Sequence, residues 1–242
     1  MPLPFRAKRG LLAALLAAAA ALFVALGVWQ VERRSWKLDL IAAVDRRVHT
    51  APQPAPGPAA WPGFSAEAEV YTRVQASGAF LNDQEALVQA VTELGPGFWL
   101  LVPLRTDEGW TVLVNRGFVP PERTVAESRQ AGSPAGHATI TGLLRLPEPG
   151  GAFLRSNDPG ADRWFSRDVA AIAAARGLGP VAPYFIDADA TPNPGGYPVG
   201  GLTVVAFRNS HLVYAFTWFG LAALCLIGLW LLRTGRPEVE QV

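Results

Sequence analysis

One short segment near the carboxyl end of the sequence concentrates the side chains that could do chemistry. Within residues 208–218 it places His211, Tyr214 and Trp218 at helical spacing, and Cys225 follows seven residues after Trp218. Residues at three-, four- and seven-residue spacing share one face of an α-helix. A histidine above an aromatic face is chemically suited to ligating the iron of a flat, apolar porphyrin. A plainer interpretation is also open, in which the rings form an interfacial aromatic belt and the histidine faces water.

A second group of polar and aromatic residues follows the first apolar segment. Trp29, Gln30 and Arg33 are spaced so that they fall within about one helical turn of one another. If the two segments meet, Gln30 and Arg33 could approach the polar edge of a ligand held between them. An arginine would suit the carboxylates of propionate groups. The alternative is that these residues only anchor the end of a membrane helix.

Two long apolar segments must position these side chains. Residues 11–29 are apolar except for Gly27, and residues 212–232 are apolar except for Thr217 and two glycines. About 20 apolar residues are enough for a helix to cross the bilayer core, so we predict transmembrane helices at residues 10–30 and 211–232. The first segment is longer than the core of a signal peptide and lacks a clean cleavage site, which favours an uncleaved anchor.

The charges that flank the predicted spans indicate their orientation. Basic residues precede the first span, within residues 1–9, and follow the second span, within residues 233–242. Short basic ends stay in the cytoplasm, whereas a loop of this length is translocated largely regardless of its own charge. We therefore expect a cell inner-membrane protein whose termini are both cytoplasmic and whose large domain is periplasmic.

Between the spans the sequence changes from helical to strand-like periodicity. Residues 31–50 continue the first helix as a juxtamembrane helix, and residues 51–63 form a Pro-rich run that we expect to be an extended spacer without strand pairing. Residues 64–208 form the extracytoplasmic domain, in which apolar and polar side chains alternate. We predict one helix at residues 168–176 and strands at residues 70–76, 86–91, 98–104, 110–115, 139–146, 183–186 and 202–207. This pattern predicts a mainly antiparallel β domain, barrel- or sandwich-like, rather than βαβ units.

The composition excludes several classes of function. The formal net charge is +1, so no strong field attracts the chain to nucleic acid. The sequence contains one cysteine, which excludes an internal disulfide and a CxxC metal pair. His49 and His137 have no Cys, His or carboxylate at metal-ligand spacing, and we interpret both as solvated loop histidines.

Polar residues of the β domain give little support to catalysis there. Arg116 could hold a substrate anion, but a turn residue at the end of the barrel is the better interpretation. Asp158, Asp162 and Asp168 do not fit the spacing of an EF-hand, and we expect them to be turn and N-cap residues. An extracytoplasmic enzyme that uses Arg116 or these carboxylates is therefore the weakest of the functional hypotheses.

Several motifs, in their order between the two spans, resemble those of the Surfeit locus protein 1 group of cytochrome c oxidase assembly factors. The motifs lie at residues 27–30, 33, 36–37, 40–41, 114–117, 120, 142–148, 157–159, 164, 194–196, 198 and 209–219. The resemblance covers nearly the whole chain. It implies two helices around an extracytoplasmic domain, which is the architecture that the hydropathy predicts independently.

The resemblance implies a non-enzymatic factor that places haem a into subunit I of a haem-copper oxidase. His211 matches the second-helix histidine that is thought to hold the haem in bacterial members, so we expect it to be an axial ligand of the iron. We expect the haem site to be formed by His211, Tyr214, Trp218, Trp29, Gln30 and Arg33. Expected partners are subunit I, membrane lipid and, as a further candidate, haem a synthase. The alternative is a haem-free membrane scaffold that stabilises nascent subunit I.

Overall fold

The computed structural model describes residues 4–152, 154–205, 207 and 209–234. The chain divides into two compact units, a helical unit of Met1–Ala43 with Ala206–Val242 and a barrel unit of Val44–Val205. Arg208, with which the candidate segment begins, and residues 235–242 of the expected cytoplasmic tail lie outside the described residues.

The described elements follow one another from a long first helix, through nine strands and two short helices, to a last long helix. In chain order they are α1 (Phe5–His49), β1 (Gln53–Pro54), α2 (Ala66–Glu69), β2 (Arg73–Phe80), β3 (Ala86–Thr92), β4 (Gly95–Thr106), β5 (Thr111–Val119), β6 (His137–Arg145), β7 (Gly151–Ala152), β8 (Arg155–Ser156), α3 (Val169–Arg176), β9 (Val181–Ala188) and α4 (His211–Thr234).

The helical unit is an antiparallel pair of helices, because α1 and α4 meet with opposite chain directions. Gln30 contacts His211, Phe23 stacks on Trp218, and Arg9 donates a hydrogen bond to the carbonyl of Leu232 near the other end. Both helices are long and apolar enough to cross a membrane. Large apolar side chains on their outward faces remain exposed, including Leu15, Leu22, Leu224 and Trp230.

The contact between the two helices follows a seven-residue repeat. The α1 residues opposite α4 that are at least partly buried include Arg9, Ala13, Leu16, Ala20, Phe23, Gly27 and Gln30. Those of α4 include His211, Ala215, Trp218, Ala222, Cys225, Leu229 and Leu232. Alternating steps of three and four residues keep one stripe of each helix facing the other. We call these two stripes the helix seam.

Gly27 sets the closeness of this contact. A Cβ atom at this position would lie 2.5 Å from the ring of Phe219, so any larger residue would displace that ring. The glycine therefore gives the Phe219 ring a place against the backbone of α1.

The barrel unit contains a closed ring of five strands. The ring runs β2-β6-β9-β5-β4 and closes because Gly78–Phe80 of β2 also pairs with Leu104–Thr106 of β4. Neighbours in the ring are antiparallel except β5 and β9, which are parallel. Outside the ring, β1 pairs in parallel with β2, and β3 pairs antiparallel with β4. The structure is thus a barrel, which decides between the two architectures that the sequence left open.

The barrel has apolar layers on both sides of β4 and β5. Leu100, Val102 and Leu104 point into the interior cluster, whereas Leu101 and Leu113 join Trp164, Ile172 and Phe185 in a second cluster that includes α3. Alternate residues of a strand face opposite sides of the sheet, so strands buried on both sides lose the apolar–polar alternation. All nine residues of β5 are buried for this reason.

The prediction that the Pro-rich run lacks strand pairing is wrong. Gln53 and Pro54 pair in parallel with β2, and the N–H of Ala55 donates to the carbonyl of Gln75 at 2.9 Å. The carbonyl of Pro56 accepts hydrogen bonds from Tyr184 Oη at 2.6 Å and Trp61 Nε1 at 2.9 Å. Prolines lack an N–H but keep their carbonyl groups, so the run is fixed to the barrel by the N–H of Ala55 and by the carbonyl of Pro56.

The strand predicted at residues 202–207 is also not found in the described part of that range. Gly201 adopts a φ of +75°, and its N–H donates to the carbonyl of Ala188, the last residue of β9. The hydroxyl of Thr203 then donates to Asp187 at 2.9 Å. A buried side-chain acceptor and a glycine turn hold this segment, so its alternating pattern does not lead to a ladder.

Candidate functional site

His211 is the first residue of α4, and its ring is fixed from the other helix. Its Nδ1 lies 2.7 Å from Oε1 of Gln30, across a sequence separation of 181 residues. An amide oxygen can only accept a hydrogen bond, so Nδ1 is the donor in this pairing. In the tautomer that donates from Nδ1, Nε2 carries the lone pair that can bind a metal ion.

The helix seam explains why these two residues meet. Gln30 lies seven residues after Phe23 on α1, and His211 lies seven residues before Trp218 on α4. Because the helices are antiparallel, the same repeat that pairs Phe23 with Trp218 also pairs Gln30 with His211. The rings of Phe23 and Trp218 stack with their centroids 5.7 Å apart. An imidazole and an aromatic stack therefore lie two helical turns apart on the same seam.

The structure brings together some of the predicted site residues and separates others. His211, Gln30 and Trp218 lie on the helix seam. Tyr214 is 54% exposed and Trp29 is 53% exposed, so both face outward. The next residue of α4 on the helix seam after His211 is Ala215 and not Tyr214, because the repeat there advances by four residues and not by three. The sequence missed Phe23, although its seven-residue spacing from Gln30 was a usable signal.

Positive charge follows Gln30 along α1. The guanidinium of Arg33 lies 3.9 Å from the centroid of the Trp36 ring, and Nζ of Lys37 lies 5.2 Å from that of Phe207. Both cations are held over aromatic rings and keep hydrogen-bond donors for other groups. They could bind the carboxylates of a ligand whose apolar part lies against the helices.

In the barrel unit, Asp187 is the centre of a buried polar network that the sequence did not reveal. Asp187 is 3% exposed. It accepts hydrogen bonds from Asn115 at 2.7 Å, Arg145 at 2.8 Å, Thr203 at 2.9 Å and Arg167 at 3.3 Å. A buried carboxylate with this many donors is a structural link between segments, since each donor comes from a different part of the chain.

Arg116 is not a turn residue, and this prediction is wrong. It lies within β5, is buried, and donates to the carbonyl of Gly132 at 2.7 Å and to Asn193 Oδ1 at 2.6 Å. Burial lowers its pKa to about 10, the charge of Glu85 opposes this shift, and that of Arg129 adds to it. Burial also raises the pKa of Glu85 above its usual value despite the three arginines near it. The bonds of Arg116 fix two loops to the barrel.

The histidines of the barrel unit have carboxylate partners that the sequence analysis did not assign. His137 begins β6, instead of lying in a loop, and its Nε2 is 2.9 Å from Asp107. His49 ends α1, and its Nδ1 is 3.4 Å from Asp45, one helical turn earlier. Both pairs are exposed. Within the described residues no group of three or more His, Cys, Asp or Glu side chains could hold a metal ion.

The aspartates of the polar loop are turn and cap residues, as predicted. Asp168 is the N-cap of α3 and accepts a hydrogen bond from the N–H of Ala171 at 3.0 Å. Asp158 caps a short 3₁₀ turn, and Asp162 binds Arg176 at 2.7 Å. Burial alone would raise the pKa of Asp162, but the hydrogen bonds of Arg176 and Trp164 outweigh it and hold the pKa below its usual value.

The fold defines the class of this protein. Two long apolar helices flank a closed β barrel. A model of the SURF1 family matches residues 17–223, from within α1 to within α4. The chain therefore belongs to the SURF1 family.

Curated relatives from several organisms match most of the chain. It is 38% identical to Surfeit locus protein 1 of Homo sapiens over 215 residues, which are 82% of this chain and 69% of the human protein. It is 37% identical to Surfeit locus protein 1 of Rattus norvegicus over 82% of this chain and 68% of the rat protein. A SURF1-like protein of Monosiga brevicollis is 37% identical over 83% of this chain and 79% of that protein.

Proposed function

We propose that this protein is a membrane-anchored assembly factor for cytochrome c oxidase that carries haem a as cargo and assists its insertion into subunit I. In this proposal α1 and α4 both span the cell inner membrane, the termini are cytoplasmic, and the barrel unit is periplasmic. Subunit I receives the haem, membrane lipid surrounds the helices, and haem a synthase is a further candidate partner.

The contact between His211 and Gln30 carries this proposal. Metal-ligating histidines usually donate their other ring N–H to an oxygen acceptor, which fixes the tautomer and the orientation of the ring. Gln30 Oε1 has that role here, at 2.7 Å from Nδ1. In the proposal Nε2 of His211 would bind the haem iron.

The residues near this contact suit the remaining parts of a haem. The exposed apolar faces of the helices could cover one face of the macrocycle, beside the stacked rings of Phe23 and Trp218. Arg33 would bind a propionate, since arginine forms bidentate hydrogen bonds with carboxylates. Tyr214 and Trp29 face outward and would offer aromatic surface to a bound haem.

Visible spectroscopy of the intact protein tests the proposal. The chain would be purified in mild detergent from a host that makes haem a, together with His211→Ala, and reduced spectra recorded. We expect a haem a band in the parent protein and its loss in His211→Ala. His49→Ala and His137→Ala are matched controls, because these exposed histidines lie in the barrel unit and should leave the band unchanged.

Substitution of Gln30 tests the role of the hydrogen bond. Gln30→Leu keeps His211 but removes the acceptor, and we expect haem affinity to fall by about 10- to 100-fold in a titration. A haem band that survives in His211→Ala would contradict the assignment of the ligand. If no band appears in any variant, the haem-free scaffold becomes the better account of the protein.

A further inference from the structure

The β3 strand leaves part of one edge of the sheet open. Toward β4 its residues pair regularly, and on its other side the N–H of Gln89 donates to the carbonyl of Trp164 at 2.9 Å. Residues two apart in a strand point their N–H and C=O groups to the same side. Val91 therefore points its own N–H and C=O to the side of Trp164, where no described residue bonds them. This open edge ends at the turn after Thr92.

A groove of about 550 Å³ adjoins this open edge. It is mostly apolar, and its walls include Val91, Pro96, Phe98, Pro121 and Phe165. Val91, on the wall of the groove, is 86% exposed. The groove thus offers apolar surface for side chains beside free main-chain donors and acceptors.

Arg155 is the charged residue among those that line the groove. Its Nη1 donates to Gln89 Oε1 at 3.0 Å, and its guanidinium lies 5.4 Å from the centroid of the Phe165 ring. These contacts hold the cation beside β3, where it would attract a carboxylate of a bound molecule.

We propose that this groove binds an extended peptide segment of a partner protein, which adds to the sheet beside β3 and places an acidic side chain on Arg155. Addition of a strand to an open sheet edge gives affinity through main-chain hydrogen bonds and specificity through pockets for alternate side chains. A small apolar ligand would use the groove but not the N–H and C=O of Val91. The peptide accounts for the open edge, the apolar walls and the cation together.

Binding of labelled peptides to the full chain in detergent tests this proposal. The probes are eight-residue peptides of alternating Val and Thr in which each interior Thr is replaced in turn by Glu or by Lys. Fluorescence anisotropy would give each Kd. We expect one Glu peptide to bind about tenfold more tightly than its Lys counterpart, because a charge-assisted hydrogen bond to Arg155 is gained. In Arg155→Glu the preference should reverse.

Val91→Pro tests the main-chain contact separately. It removes the outward N–H but no bond between β3 and β4, because Val91 faces Pro96 at a position without hydrogen bonds. We expect binding to weaken at least about tenfold. Val91→Thr keeps the N–H and should retain binding. Hydrogen exchange should also show the Val91 amide becoming protected when the Glu peptide binds to the parent protein, which needs no variant.

Three results would overturn the proposal. The first is that no peptide binds the parent protein more tightly than it binds Val91→Pro. The second is equal binding of Glu and Lys peptides in both the parent and Arg155→Glu. The third is self-association of the parent that Val91→Pro abolishes, since the occupant of the edge would then be a second copy of this chain.

Discussion

The carboxylate of Asp187 should be one of the most sensitive points of the barrel unit. Asp187→Ala removes the acceptor shared by Asn115, Arg145, Arg167 and Thr203. These donors come from β5, from β6, from the segment before α3 and from the segment after β9. The change therefore loosens four parts of the chain at once.

The expected cost follows from the burial of the charges. The side chains of Arg145 and Arg167 are 18% and 12% exposed, so water cannot fully replace the lost carboxylate. Removing one partner of a buried ion pair costs about 3–5 kcal/mol. Arg167 retains Glu148 at 3.1 Å, which favours the lower part of this range. For a unit of this size, the loss corresponds to a fall in Tm of about 6–20 °C.

Thermal unfolding of the full chain in mild detergent, followed by near-ultraviolet circular dichroism, would measure this change. Asp187→Asn keeps the size of the side chain but removes its charge, and it should give an intermediate shift. Asp158→Asn is the matched control, because the ion pair of Asp158 with Arg163 is exposed and its loss should not move the Tm. A shift for Asp187→Ala no larger than that of the control would refute the assigned role of the network.

Two further predictions concern the helix seam and the acid stability of the barrel unit. Gly27→Leu should reduce cross-linking between single cysteines placed on the two helices, because its side chain would displace Phe219, whereas Gly220→Leu, with no atom within 4 Å of its Cβ, should not. Burial raises the pKa of Glu148, but the hydrogen bonds and charge of Arg167 outweigh it and leave the pKa below its usual value of 4.5. The stabilisation is therefore present above that value and is lost as the pH falls through the lowered pKa. Glu148→Gln should flatten this acid part of the dependence of Tm on pH, and an unchanged profile would contradict the assignment.

The features that could be predicted from the sequence are those that depend on residues close together along the chain. The two apolar segments identified α1 and α4, since length and hydropathy along a helix are local properties. The helix α3 was also predictable, because Asp168 caps its start and Gly177, with a φ of +63°, ends it. The strands β2, β3 and β6 follow the apolar–polar alternation of their sequences, and a glycine-containing turn joins β3 to β4.

The closure of the barrel was not predictable in the same way. It depends on the pairing of β2 with β4 and on the parallel pairing of β5 with β9, which join distant parts of the chain. Because β5 is buried on both faces, its sequence lacks the apolar–polar alternation of a strand. The strand pairing of the Pro-rich run depends on β2, which is distant in the sequence. Burial of Arg116 and Asp187 likewise depends on segments that no local pattern connects.

The candidate site shows the same division. By itself, the sequence identified His211, Gln30 and the two helices that carry them, because helical spacing places residues on faces. The tertiary structure decided that Gln30 accepts the hydrogen bond from His211, that Phe23 stacks on Trp218, and that Tyr214 faces outward. These choices depend on the relative register of two antiparallel helices, which is set by contacts such as that of Phe219 with Gly27 along the whole helix seam.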